Sequence, residues 1–535
     1  MSFATLTFFL FCVLVFGLYH ARAVRGWQNG LLVVASYVFY GWWDYRFCSL
    51  MLVSSLVDYW AGRAIERSSH PGRRRLCLGI SLATNLGMLG FFKYFNFFAE
   101  NLALLMESVG VPFHAGTLNI VLPVGISFYT FQTMSYTLDI YRGQFHPVKN
   151  FPAYMAFVSF FPQLVAGPIE RASHLLPQFL SARRFDAVRA WGGMRLILWG
   201  LFKKMVVADN LAAVVDPLYA NPGLHSGPEL LVATVAFAVQ IYCDFSAYSD
   251  IASGTAGLFG IDLMRNFAFP YFSRSVGEFW RRWHISLSTW FRDYVYIPMG
   301  GSRRGPGRTR VNILLTFAVS GLWHGASWNF VIWGVLNGLG MMLGTSAGRR
   351  DRSGPSRVPG GASGWPSLSS LAAMLGTFGF ICLTWVFFRA ATLGDALDAL
   401  RAILTLKGGA EGWAAVGRLM EQNEVIFRLI PLFLLAEWLR RRSWNVLALS
   451  GFFESWMALV LAAAGWWVSA GEQALPGYVL IPLGWLAGRA MRRVLPAALA
   501  DGLGRGIRWL FFTVFFWLIL HSGTYVRGAF IYFQF

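Results

Sequence analysis

The chain has 535 residues, of which 56% are hydrophobic, 17% aromatic and only 13% charged. A soluble protein of this length carries roughly twice that share of charge, so an ordinary water-soluble fold is excluded and a polytopic integral membrane protein is indicated. The formal charge of +19 does not mark a nucleic-acid binder, because the cations fall in short loops: Arg73 to Arg75, Arg183 and Arg184, Arg303 to Arg310, Arg349 to Arg357, Arg440 to Arg442, and Arg492 with Arg493. Cytoplasmic loops of membrane proteins are enriched in this way, which makes the pattern a topology signal first and an attraction to anionic headgroups or substrates second.

In chain order, the apolar run "FATLTFFLFCVLVFGLY" (3–19) lacks a basic leader and precedes Arg22 and Arg25. It reads as a retained first helix with its N-terminus outside rather than a cleaved signal peptide. "GLLVVASYVFYGWW" (30–43) follows, and "GRAIERSSHPGRRR" (62–75) returns to the cytoplasm. Segments 76–98 and 118–140 make a further excursion. In "FPAYMAFVSFFPQLVAGPI" (151–169), Pro152, Pro162 and Pro168 interrupt the helical pattern between basic flanks, predicting a bent or re-entrant element. "LLVATVAFAVQIY" (230–242) runs into the polar island "YCDFSAYSD" (242–250), whose Asp244 and Asp250 fit helix capping or pairing with Arg, or else a cation or proton site.

The region 269–310 is polar, aromatic and rich in Arg, which predicts an interfacial or re-entrant stretch at the cytoplasmic face with Trp and Tyr lodged at the membrane boundary. The linker 345–367, rich in Gly, Ser, Pro and Arg, reads as a flexible cytoplasmic loop. These two basic stretches bracket 34 apolar residues, 311–344. One straight helix of that length would span about 50 Å, too long for a single crossing, and would leave one basic loop outside. The chain is therefore expected to enter, turn near "WHGAS" and leave, with Gly321 and Gly325 weakening the helix there. "LAAMLGTFGFICLTWVFF" (371–388) and "GIRWLFFTVFFWLILHSG" (506–523) add two more apolar runs. With the weaker candidates, about ten to thirteen transmembrane or re-entrant helices are expected in one all-α body spanning 1–535.

The histidine in "AVSGLWHGASWNF" (318–330) is the first candidate for chemistry. Ionisable groups within membrane segments tend to line cavities or pathways, whereas a satisfied structural residue is the bland alternative. On a continuous helix Ser320, Ser327 and Trp328 would share the side of His324, and a serine hydroxyl could fix the imidazole tautomer. The second candidate is His284 in "EFWRRWHISLSTWFRDY". If helical, Trp280, Arg281, His284 and Ser288 share a face, joining aromatic surface, fixed positive charge and an imidazole, as a phosphate-bearing donor would need; an interfacial anchor is the alternative. The five cysteines (Cys12, Cys48, Cys77, Cys243, Cys382) show no paired spacing, so neither a disulfide framework nor a metal site is indicated. No Walker-type loop is present.

Seven stretches in order, "VGISFYTFQTMSYTLDIYRG" (124–143), "FFPQLVAGPIER" (160–171), "QIYCDFSAYSDIASG" (240–254), "FWRRWHISLSTWFRDYVYIPMGG" (279–301), "GLWHGASWNFVIWG" (321–334), "WVFFRA" (385–390) and "FIYFQF" (530–535), resemble the membrane-bound O-acyltransferases, and within them the bacterial alginate O-acetyltransferase branch. The resemblance runs from about residue 30 to the end and is weakest over roughly 390–500. It implies a many-helix body around a central tunnel in the bacterial inner membrane, with the acyl donor entering from the cytoplasm and the acceptor from the other side. It places the family's invariant histidine on His324 and its more variable one on His284. Around them the expected substrate site takes in Ser320, Trp323, Ser327 and Trp328, with Arg281 and Arg282 toward the donor phosphates. Acetyl-CoA is the implied donor, with no bound cofactor and no metal. The implied partners are membrane lipid and a periplasmic SGNH-type acyltransferase or a polysaccharide acceptor, not nucleic acid. An imidazole, with a solution pKa of about 6.5, suits a general base near neutral pH or a transient acyl carrier. D-alanyl transfer to teichoic acid, or a proton-coupled transporter or export channel using His324 and the acids of 242–250, stand as the alternatives.

Overall fold

The structure, a computed structural model, describes residues 1, 3–111, 116–346, 366–441, 445–449, 452–470, 475–494 and 497–523. The expected linker at 345–367, apart from its two ends, and the terminal "FIYFQF" lie outside these residues. Every regular element among them is helical. Four helical runs are long and apolar enough to cross a membrane: Pro71–Ser108, Gly227–Leu258, Leu368–Arg389 and Leu503–Ser522. Leu6–His20 and Trp328–Leu343 are shorter apolar helices.

Length and apolarity alone therefore select fewer segments than the ten to thirteen expected, and the helix Ile126–Tyr141 shows why. It carries Ser127, Thr130, Gln132, Thr133, Ser135 and Thr137, every one buried. Their partners are inside the protein: Gln132 donates to the Phe157 carbonyl at 2.7 Å, Thr137 meets Ser81 at 2.9 Å, and Thr133 donates to Asn85 at 3.2 Å. A hydropathy window counts these groups as polar, although none faces lipid. Leu10, Val13 and Leu14 show the opposite arrangement on Leu6–His20, each more than 60% exposed, as apolar side chains turned toward hydrocarbon should be.

The 32-residue helix Gly227–Leu258, about 48 Å long at 1.5 Å per residue, joins two packed regions. Leu230 to Phe245 belong to a core shared with the second half of the chain, while Ile251, Ala252 and Ala256 belong to one built from the first half. The expected bent element appears as a short helix, Phe151–Ser159, followed by buried turns through 160–167.

The apolar stretch 311–344 folds as a helical hairpin, Gly305–His324 and Trp328–Ser346, broken at 325–327 as the sequence predicts. The two helices touch backbone to backbone. A Cβ on Gly321 would lie 2.1 Å from the Phe330 carbonyl oxygen, and one on Gly334 would lie 2.2 Å from that of Phe317. Small residues at helix contacts allow this approach, which is how helices associate where lipid supplies no hydrophobic drive. Gly334→Val should therefore force the hairpin apart at a cost of about 1–3 kcal/mol or more. Size-exclusion chromatography and a thermal melt in detergent would register it as lost monodispersity and a lowered melting temperature.

Candidate active site

The helix Gly305–His324 stops inside the protein, with Gly325 extended at φ −158° and ψ 150°. A helix end exposes four carbonyls without intrahelical partners, and in a membrane body each needs one. All four are met. The Gly325 N–H donates to the Gly321 carbonyl at 3.4 Å. The Tyr94 hydroxyl donates to that of Leu322 at 2.9 Å, and the Lys93 ammonium donates to those of Trp323 and His324 at 2.7 and 2.9 Å. Both donors sit on a π-helical turn, Gly90–Tyr94, set between Pro71–Leu89 and Phe95–Ser108. A cation at a helix C-terminus is also favoured by the macrodipole. Lys93 lies 5.9 Å from the centre of the Trp323 ring as well, within cation–π range.

This clamp fixes the backbone that carries His324, whose side chain is buried at 4% exposure. Its imidazole is edge-on to Trp323, Trp333 and Phe388, with ring centres 4.9, 5.0 and 5.4 Å away. Trp333 comes from the second arm of the hairpin and Phe388 from Leu368–Arg389. Asn329 ties those two elements together by donating to the Ala390 carbonyl at 3.0 Å.

His284 lies on the other side of Trp323, at 6.2 Å between ring centres. The chain does not run through it as one helix. Val276–Arg282 ends, His284 takes a left-handed backbone (φ 42°), and Ile285–Phe291 begins. A non-glycine residue there is strained, and such strain gathers at functional sites. Asn266 holds it. Its backbone carbonyl accepts from the Ile285 N–H at 2.9 Å, and its side-chain oxygen accepts from the Ser286 N–H at 3.2 Å and hydroxyl at 2.9 Å. The same oxygen lies 3.2 Å from Nδ1 of His284. An atom that accepts from a backbone N–H is the amide oxygen, so Nδ1 carries the proton and Nε2 is left as the lone-pair nitrogen. Nε2 is buried without a hydrogen-bond partner among the described residues.

Several expected site residues lie elsewhere. Because the helix breaks after His324, Ser327 and Trp328 do not share its face. Ser327 instead accepts from the Asn329 N–H at 3.3 Å at the start of the next helix, and Trp328 is 55% exposed and donates to Asn101 at 2.8 Å. Ser320 stays one turn before His324, buried. Arg282 is not available to donor phosphates: it is buried, paired with Glu278 at 2.9 Å, and donates to the Ala268 carbonyl at 3.0 Å. Arg281 is half-buried on the last turn of its helix. The face expected to join Trp280, Arg281, His284 and Ser288 does not form, and Trp280, Trp283 and Trp290 are packed inside the protein rather than at its rim. Sequence reasoning misses Lys93, Tyr94 and Asn266. For Lys93 a signal exists, a lone cation inside the apolar run 76–98.

The acids of 242–250 pair with lysines of a second π-helical turn, Phe202–Ala208. Lys203 meets Asp250 at 2.7 Å, and Lys204 meets Asp209 and Asp244, each at 2.8 Å. Lys203 and Asp244 are buried, so this network meets the rule that buried charge needs a partner.

Lys93→Met removes the donor to two buried carbonyls, and each unsatisfied group costs about 1–3 kcal/mol. A lowered melting temperature is the expected result, with Lys93→Arg restoring part of it. An unchanged melt for Lys93→Met would show that the helix end does not depend on this residue.

Residues 78–350, which contain Lys93, Asn266, His284 and His324, match the membrane-bound O-acyltransferase family. The chain is 39% identical over 388 residues to a probable alginate O-acetylase of Pseudomonas putida, covering 72% of this chain and 76% of that one. It is 35% identical to a peptidoglycan O-acetyltransferase of Helicobacter pylori over 70% of this chain and 74% of that one. A teichoic acid D-alanyltransferase of Streptococcus thermophilus is more distant, 29% identical over 47% of this chain and 63% of that one. A helical membrane body, the shared segment and these relatives together establish that the chain belongs to the membrane-bound O-acyltransferase family and is an acyltransferase.

Proposed function

We propose that this acyltransferase moves an acetyl group from cytoplasmic acetyl-CoA, across the bacterial inner membrane, to a hydroxyl on the periplasmic side, for O-acetylation of an alginate-like exopolysaccharide. The observation that carries this reading is the position of His324: an imidazole at a helix end clamped inside the protein, in an aromatic enclosure, with a second imidazole across Trp323. His324 takes the proton of the acceptor hydroxyl as its oxygen attacks the thioester carbonyl. The carbon–sulfur bond then breaks, and the departing CoA thiolate recovers the proton from the imidazolium. Burial among tryptophan and phenylalanine rings keeps water from hydrolysing the thioester. His284, with Nδ1 committed to Asn266, presents Nε2 as an acceptor that positions the donor or a proton.

The donor phosphates are assigned to Arg281 and to the exposed Arg303, Arg304, Arg308 and Arg310, which retain freedom to meet an anion. Arg282 has no part in this, its charge being spent on Glu278. Acetyl-CoA is consumed as a substrate, and the chain needs no resident cofactor for this step. The acceptor is the polysaccharide itself or a periplasmic acyltransferase of the SGNH type that passes the group on. Support for acetylation over D-alanylation comes from the higher identity and wider coverage of the two O-acetyl relatives.

Membranes bearing the wild-type chain, incubated with acetyl-labelled CoA, should transfer label to polysaccharide or a periplasmic protein. A positioned base contributes about 10²- to 10⁴-fold in rate, so His324→Ala should lose at least about a hundredfold while remaining in the membrane. Asn266→Ala, which leaves the His284 tautomer unfixed, should lose less. Wild-type transfer by His324→Ala refutes the mechanism, and label accepted only from a D-alanyl carrier would move the chain to the other chemistry.

A further inference from the structure

A groove of about 670 Å³ runs between the helices Leu6–His20, Ala187–Leu201 and Ala497–Ser522, away from the two histidines. Its chemistry changes along its length. Arg505 and Arg508 lie toward one end, Phe9 and Phe516 toward the other, and Arg195 lies between them beside Phe512. Trp191 and Trp509 meet edge to face at 6.4 Å between ring centres, one turn before Arg195 and Phe512 on their helices. Along the last helix, Arg505 and Phe516 are eleven residues apart, or about 16 Å at 1.5 Å per residue. That is the reach of a good part of one acyl chain.

Among the described residues the basic end is unbalanced. The described lining contains no Asp or Glu, and no ion pair is formed by Arg195, Arg505 or Arg508 among the described residues. Arg508 has a 3.5 Å contact with the Ser455 hydroxyl. Arg195, half-buried with its guanidinium 6.0 Å from the centre of the Phe512 ring, has a buried Nε without a hydrogen-bond partner. Grouped guanidiniums with no counter-charge among the described residues, beside apolar walls, suit an anion joined to a hydrocarbon tail. The helix Ala187–Leu201 begins just after the basic loop at Arg183 and Arg184, the side that the positive-inside rule assigns to the cytoplasm, and Arg505 and Arg508 lie on the N-terminal side of Phe512, which Arg195 meets.

From this we infer that the groove is a binding site for an anionic phospholipid of the cytoplasmic leaflet. Its phosphate is held by Arg505 and Arg508, with Arg195 reaching it from beside Phe512, its glycerol region lies against Trp191 and Trp509, and one acyl chain runs down toward Phe9 and Phe516. Basic pockets between membrane helices recognise anionic headgroups in this way, each cation near the surface strengthening binding by roughly fivefold. The lipid would seal the contact between the first helix and the last, a pair of elements distant in sequence.

The test uses the full chain purified in mild detergent from membranes that contain phosphatidylglycerol and phosphatidylethanolamine, with retained lipid measured by native mass spectrometry. Wild-type protein should keep phosphatidylglycerol selectively, and added phosphatidylglycerol should raise its melting temperature more than phosphatidylcholine does. R195Q/R508Q should lower retention by about tenfold or more, and R505Q, on an exposed side chain that disturbs no packing, by about fivefold. R303Q/R304Q, which removes the same charge from an exposed loop elsewhere, should retain the lipid. Equal losses in the loop and groove variants, or no loss in R505Q, would overturn the site. So would stabilisation by inorganic phosphate or glycerol phosphate equal to that by phosphatidylglycerol, since a headgroup alone would then suffice.

Discussion

The geometry around His324 depends on how a helix is made to end in the interior of a membrane protein. Water caps the last carbonyls of a soluble helix at no structural expense, but in a dry interior every one needs a built partner. Here the partners are an ammonium and a phenol from Lys93 and Tyr94, reaching Leu322, Trp323 and His324 from a segment some 230 residues earlier. A helix that continued past His324 would carry the imidazole on one face of a cylinder. A helix that stops there puts it at the turn of a hairpin, with elements on several sides able to contribute walls. The Lys93 contact thus converts a backbone problem into a fixed position for the His324 side chain.

π-helical turns recur where charge must be placed inside the body. Gly90–Tyr94 delivers Lys93, Phe202–Ala208 delivers Lys203 and Lys204 to the acids at 244 and 250, and Arg292–Tyr296 holds Asp293 within 3.5 Å of Arg171. Each adds a residue to the helical register and rotates the next turns of the helix, so a charged side chain is redirected toward its partner without ending its helix. This explains how a chain with so few charged residues commits several of them to its interior: they join neighbouring helices that would otherwise be held by dispersion alone.

The parts of the molecule that are legible in the sequence and the parts that are hidden divide along the reach of local rules. The helical hairpin at 305–346 is legible because length, two basic flanks and glycines near the turn constrain one another within a few dozen residues, and the broken element after Phe151 because proline acts on its own neighbourhood. Ser327 and Trp328 are misplaced for a related reason. Helical face-sharing holds only while the helix lasts, and the turn expected near "WHGAS" lies between them and His324. Arg282 carries a visible clue, Glu278 four residues before it, yet an arginine beside tryptophan reads equally well as a ligand group. The tryptophans of 280–290 read as residues of the membrane rim because composition cannot separate an interfacial indole from a buried one. The partners of Lys93 and Asn266 are out of reach altogether, since tertiary packing fixes them.

The two imidazoles are held in different ways, and the difference argues for different work. His284 sits on strained backbone with Nδ1 locked to an amide oxygen and one nitrogen left as a fixed acceptor, an arrangement suited to orienting a partner rather than cycling through protonation states. His324 is fixed through its backbone, by a cap on its own carbonyl, while the surroundings of its ring are aromatic edges. A firm backbone keeps the geometry that a base accepting and returning a proton needs, the role proposed for His324. Trp323 lies between them, touching both rings and held by Lys93 through its carbonyl. Any displacement of the helix end is therefore felt by both histidines at once.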